Sequence, residues 1–155
     1  MQVAVCGPRE CSAVEAEHAR QVGRLLAAAE VTVLCGGDTG VMAAVAEGAS
    51  SAGGLVIGVR PDTDRDTACA GLSAVLFTGM GEARNAILVA SADAVIIIGG
   101  SWGTLSELAL ARSRGIPVIA LGTWQIFDAD GTPLAATISA TDPADAVARA
   151  LQDAA

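Results

Sequence analysis

Short continuous apolar runs alternate along the chain with longer stretches in which apolar residues recur at helical spacing. That rhythm fits a parallel sheet with helices on both faces, because its strands are buried on two sides and its crossover helices on one. QVAVC (2–6) is the first expected strand, and a helix over 12–30 follows, opened by Ser12 and Glu15 at capping-box spacing. Val14, Val22, Leu25, Leu26 and Ala29 form its expected apolar face. VTVLCGG (31–37) predicts a second strand, residues 39–52 a helix stopped by Gly53-Gly54, and LVIGV (55–59) a third strand. Residues 60–73 read as a loop rich in Asp, Thr and Gly. A strand over 74–79 and a helix over 81–92 come next. DAVIIIG (93–99) has no polar alternation, which predicts a strand buried on both faces near the sheet centre. A helix over 104–113 and a strand over 117–122 follow, then a turn or hairpin over 127–134 around Asp130-Gly131 and a short strand over 138–140. Asp142 and Pro143 start a last helix in the favoured N-cap and N1 arrangement. The expected architecture is α/β, a doubly wound, mostly parallel sheet of about seven strands.

Composition narrows the class. With 155 residues and no internal linker, one domain over 1–155 is expected, long enough to bury roughly 70% of its unfolded surface. The chain is 52% hydrophobic and 17% charged, which argues against disorder. Its net charge is −8 and all nine cations are arginines, so it offers no basic footprint for nucleic acid, although an arginine pocket for one phosphate remains available. The opening MQVAVCGPRE lacks the basic start and long apolar core of a signal peptide, and no run approaches the ~20 apolar residues of a membrane span. Four cysteines without a CxxC pair or a histidine cluster predict no metal site. A cytoplasmic protein with reduced thiols is the expectation, with neither membrane nor nucleic acid as partner.

Two turns carry the candidate chemistry. CGGDTGVM (35–42) and IGGSWGTL (98–105) each place Gly-Gly at a strand end, two residues, another glycine and then a helix. Ligands of open α/β sheets bind outside the carboxyl ends of the strands, and a helix N-terminus there offers free N–H groups to an anion. Gly36, Gly37 and Gly40 in one turn, and Gly99, Gly100, Ser101, Trp102, Gly103 and Thr104 in the other, are candidate phosphate ligands. Gly7 and Arg9 after the first strand join them. Neither turn is the GxGxxG fingerprint or the lysine-bearing phosphate loop, which disfavours a conventional NAD enzyme or P-loop NTPase. Arg84 lies in the first or second turn of its expected helix, where it is either solvated or turned over the strand ends to bind phosphate. Thr104 and Glu107 stand at capping-box spacing, so Glu107 is either a cap or a carboxylate available for general acid–base work.

Two stretches, CGGDTGVMAAVAEGASSAGGLVIGVRP (35–61) and ARNAILVASADAVIIIGGSWGTLSEL (83–108), together resemble the LOG-like superfamily, which includes cytokinin-activating phosphoribohydrolases and molybdenum cofactor carrier proteins. The resemblance implies a modified Rossmann fold, a homodimer or homotetramer, and a cleft for a phosphorylated, nucleotide-like ligand. In the hydrolase branch, the residues matching Arg84 and Glu107 are catalytic, and those matching Gly99, Gly100, Gly103 and Thr104 hold the phosphate. This chain departs from the hydrolase motif at Ile98, which replaces a proline, and at Asn85, which replaces a lysine. It also has two residues, Ser101-Trp102, between Gly100 and Gly103. One extra residue displaces the turn amides by about the 3.8 Å of a Cα step. These departures are similar to the short branch that contains the cofactor carriers. The expected function is therefore a binding or carrier protein for a nucleoside monophosphate or molybdopterin-type cofactor, with no other cofactor required. The alternative is a nucleoside 5′-monophosphate phosphoribohydrolase. A DNA-processing role, by distant similarity to DprA-type proteins, is disfavoured by the charge.

Overall fold

A computed structural model describes residues 1–135 and 137–153. Of the expected domain over 1–155, Ala136, Ala154 and Ala155 lie outside the described residues. Seven parallel strands form one sheet: β1 (Gln2–Cys6), β2 (Thr32–Cys35), β3 (Val56–Arg60), β4 (Ala74–Phe77), β5 (Ala94–Ile98), β6 (Val118–Leu121) and β7 (Ile138–Ser139). Their spatial order is β4-β3-β2-β1-β5-β6-β7. The helices are α1 (Ala13–Ala28), α2 (Val41–Ser51), α3 (Arg84–Ala90), α4 (Trp102–Ser113) and α5 (Pro143–Asp153). The chain winds outward from β1 to β4, returns to β5 beside β1, and winds outward again. The connections leaving β1 and β5 therefore diverge, which opens a crevice at their carboxyl ends.

Alternation along the strands sorts the core into two layers. Val3, Val5, Ile96 and Ile98 pack toward α1, α2 and α5, whereas Ala4, Cys6, Val95 and Ile97 pack toward α3 and α4. Every residue of β5 is buried, as its unbroken apolar run requires. A dehydrated strand of this kind has to satisfy its backbone through both neighbours, and β5 pairs with β1 and β6.

The buried face of α1 differs from the expected one. Val14 and Leu25 are exposed, as is Ala29, while Ala19, Val22, Gly23 and Leu26 are buried. The reason is a close crossing between α1 and α2. A Cβ on Gly23 would come 2.7 Å from the Ala49 amide nitrogen, and one on Gly48 would come 2.7 Å from Arg20 Cα. The two glycines select the stripe that faces the partner helix, and larger apolar residues beside it stay outside.

The α3 helix is shorter than expected, because a 3-10 turn over Gly81–Ala83 precedes it. The β3–β4 connection has no helix and is fastened by Arg60, which ends β3 rather than opening the loop. Its buried guanidinium donates from Nη2 to Asp62 Oδ2 at 2.6 Å and from Nη1 to the Gly37 carbonyl at 2.9 Å and the Thr67 carbonyl at 3.0 Å. No helix among the described residues is long and apolar enough to cross a membrane.

Gly48→Ala is expected to destabilise the protein by about 1–3 kcal/mol, because its new methyl meets backbone that cannot rotate away. The loss should appear as a lower urea midpoint despite the ~1 kcal/mol helix-propensity gain.

Candidate functional site

A cleft of about 320 Å³ occupies the crevice between the carboxyl ends of β1 and β5. Gly7 and Arg9 line it from the loop after β1, Arg84, Asn85 and Glu82 from the start of α3, and Ser101, Gly103, Thr104 and Glu107 from α4. Gly7 is glycine for packing reasons, since a Cβ there would stand 2.6 Å from the Ile98 carbonyl oxygen and from Val41 Cγ1.

The turn into α4 is built by backbone conformation. Gly99 takes φ +68°, which reverses the chain after β5, and Ser101 is extended at φ −154°. Ser101 then caps the helix. Its Oγ accepts from the Thr104 amide at 3.2 Å and lies 2.8 Å from Thr104 Oγ1. The helix accordingly starts at Trp102, and the expected Thr104–Glu107 capping box does not form. The amides of Trp102 and Gly103 find no acceptor among the described residues and carry the positive end of the helix dipole.

Released from capping, Glu107 lies one turn further along and is buried beside the Cys6 thiol. Burial raises its pKa from 4.5 to about 7, against the opposing pull of the Arg84 charge and the Cys6 thiol. The same confinement pushes the Cys6 thiol well above its ordinary value, first through burial and then through the Glu107 charge. Arg84 is 6% exposed, and burial lowers its pKa while Glu107 partly restores it. Its Nη1 donates to the Val59 carbonyl at 2.5 Å, and its Nε has no partner among the described residues. Asn85 beside it is 5% exposed, and its Oδ1 also lacks a partner among the described residues. The cleft floor thus holds a buried cation and a buried amide whose hydrogen-bonding capacity is unfilled.

The remaining expected residues have other surroundings. Gly36 leaves room for the Arg84 guanidinium, whose Nη1 would be 2.5 Å from a Cβ there. Gly37 takes φ +68° and gives its carbonyl to Arg60. Gly40, at φ +65°, abuts the carbonyls of Pro8 and Arg9, and the next amide, Val41, donates to Pro8 at 3.1 Å. The 35–42 turn thereby clasps the loop after β1, and none of its three glycines lines the cleft. Gly99 abuts the Glu15 carboxylate, and Gly100 lies under the Trp124 indole. Trp102 does not line the cleft and is 80% exposed. Arg9 reaches the rim, paired with Asp38 at 3.0 Å. Gly103 is the exception among the turn glycines: a Cβ there meets nothing nearer than Ser101 Oγ at 3.8 Å, so no protein neighbour forbids a side chain.

Cys6, Glu82, Asn85 and Trp124 were not expected at or beside the site. Cys6 had a usable signal, because β1 alternation sets it on the α4 face; Asn85 had none beyond its adjacency to Arg84.

The family model described as the SLOG cluster4 family matches residues 1–147, and the chain belongs to that family. A protein of Archaeoglobus fulgidus is 41% identical over 122 residues, covering 78% of this chain and 80% of its own. The molybdenum cofactor binding protein of the phototrophic bacterium Rippkaea orientalis has a similar structure, with TM-score 0.87 and 31% identity over 97% of this chain and 95% of that one. The molybdenum cofactor carrier protein of Chlamydomonas reinhardtii superimposes with TM-score 0.83 and 30% identity over 97% and 96% of the two chains. DNA processing protein A of Helicobacter pylori, at 21% identity and TM-score 0.74 over 99% and 81%, shares the fold alone.

Glu107 sets a measurable pH dependence. Its folded pKa, about 7, lies above the unfolded value near 4.5, so between these pH values the folded state binds the extra proton. Stability from this group is therefore present below pH 4.5 and lost as pH rises to about 7, by up to roughly 3 kcal/mol. Glu107→Gln should remove that component, seen as a smaller drop in urea midpoint between pH 5 and pH 8 than in the wild type.

Proposed function

We propose that this chain binds a phosphorylated, nucleotide-like small molecule, either a nucleoside monophosphate or a molybdopterin-type cofactor, and acts as its carrier. The observation that carries this reading is Arg84, a buried cation with an unpartnered Nε on the floor of a cleft onto which the α4 N-terminus opens. A phosphate fits that chemistry. It would accept from the free Trp102 and Gly103 amides and take the positive charge of Arg84, with Arg9 at the rim. The open space over Gly103 gives an anion room to approach the helix end. The likeness to proteins named as molybdenum cofactor binders and carriers supports a cargo of this class. A molybdopterin-type cargo brings such a phosphate, and the role needs no resident cofactor. Assembly as a homodimer or homotetramer belongs to the same proposal and is read by light scattering.

One observation favours a second reading. Glu107, at about 7 and beside Arg84, has the proton affinity of a general acid or base at neutral pH. In a phosphoribohydrolase it would assist departure of the base from C1′ through an oxocarbenium-like state. Water then adds to C1′, giving free base and ribose 5-phosphate.

Incubation with a panel of nucleoside monophosphates separates the two. Thermal stabilisation without release of free base is the carrier outcome, whereas release that vanishes in Glu107→Ala establishes the hydrolase. Arg84→Met should weaken binding about 10- to 100-fold while leaving the free protein at least as stable, since an unpaired buried cation is replaced by an apolar chain. Unchanged binding in Arg84→Met would overturn the site. Gly103→Ala is expected to raise the melting temperature of the free protein, through up to about 1 kcal/mol of helix propensity, and to weaken the ligand.

A further inference from the structure

We infer that the planar ring of the ligand stacks against Trp124, in a second hollow beyond the capped end of α4. The inference rests on the phosphate site proposed above and extends it to the ring-bearing half of the molecule.

Aromatic usage is the first ground. The chain has two tryptophans, two phenylalanines and no tyrosine. Tryptophan is on average highly buried, yet Trp102 is 80% and Trp124 45% exposed here. They meet edge to face, with ring centroids 5.3 Å apart and planes at 79°. An aromatic-poor chain thus sets its two largest rings together on the surface, next to the phosphate turn, where they add little to the core.

The turn is also shaped around one of them. A Cβ on Gly100 would come 2.5 Å from Trp124 Cδ1 and Nε1, so the missing side chain seats the indole on the backbone. Trp124 is held there and still presents exposed ring surface. Beside it lies a hollow of about 400 Å³, with Leu108, Ile126 and Leu134 as apolar walls and Gln125 and Thr137 as polar ones. That is the size and mixed character of a small-ligand pocket. Between it and the cleft lies a void of only about 10 Å³, which shares Ser101 and Thr104 with the cleft and Leu108 and Trp124 with the hollow. The cleft and the hollow thus flank the same capped helix end, and a ligand anchored there by phosphate would pass over Ser101 to reach the indole.

A nitrogen heteroaromatic, either a purine or a pterin, suits this surface. Its face stacks on the indole, and its edge offers donors and acceptors to Gln125 and Thr137. A saturated sugar phosphate would fill the cleft alone and gain nothing from the hollow.

Calorimetric titration tests this with ribose 5-phosphate, guanosine 5′-monophosphate and 6-hydroxymethylpterin phosphate. At least one ring-bearing probe should bind about 5- to 150-fold more tightly than ribose 5-phosphate. Trp124→Ala should erase that advantage, while Trp124→Phe keeps most of it. In Trp102→Phe, where Trp124 is the remaining tryptophan, the ring-bearing probe should alter the fluorescence and ribose 5-phosphate should not. The inference is overturned if neither ring-bearing probe outbinds ribose 5-phosphate, or if Trp124→Ala preserves the advantage. It also falls if Trp124→Ala changes only the oligomeric state, which would make the aromatic pair a contact between copies. Ribose 5-phosphate binding that ignores Arg84→Met would instead overturn the phosphate site itself.

Discussion

Arg84 is a charge held out of water without a contacting counter-charge among the described residues, and much of the surrounding geometry accommodates it. Burying an ion costs several kcal/mol unless other groups compensate, and compensation here is partial. The Val59 carbonyl takes one N–H, and Gly36 gives up a side chain to make room for the guanidinium. Glu107 is near enough to feel the charge, yet its own burial holds it at about 7. The crevice between β1 and β5 allows this arrangement, because diverging connections leave strand ends uncovered there. The cation, the free amides of α4 and the buried carboxylate are thus consequences of a single topological fact.

The two glycine turns show how far a sequence pattern reaches. Both read GGxxG, and both give a strand a sharp exit into a helix. The pattern specifies backbone conformation, and Gly37, Gly40 and Gly99 all take positive φ. It does not specify what the freed backbone faces. After β2 the helix end closes on Pro8 and Arg9, whereas after β5 the corresponding amides stay open. That difference arises from strand order, since β1 and β5 flank the crevice and β2 does not.

Other expectations divide along the same line. The alternation of apolar runs and helical stretches was sufficient for the seven-strand parallel sheet, because burial on two faces leaves a direct trace in residue type. The start of α4 was not legible, because Thr104 with Glu107 and Ser101 with Thr104 both offer acceptable capping chemistry. Gly99 decides between them by setting where the chain turns. The buried stripe of α1 leaves no such trace, because glycines at a close helix crossing carry no hydrophobic signal. The burial of Arg84 and Asn85 depends on α3 and α4 meeting over the end of β1, a long-range relation without a local signature.

Glu107 has one more consequence. Arg9, Arg84, Glu82 and Glu107 all line the cleft, so the lining is formally neutral when Glu107 is ionised and carries one net positive charge when it is protonated. An anion entering beside Glu107 favours the protonated form, and by linkage the protonated form favours the anion. If the cleft takes the anion proposed above, its loading near neutral pH would draw a proton from solvent and its unloading would return it. The protein would then exchange an anion together with a proton, and the enthalpy of binding would vary with the ionisation heat of the buffer.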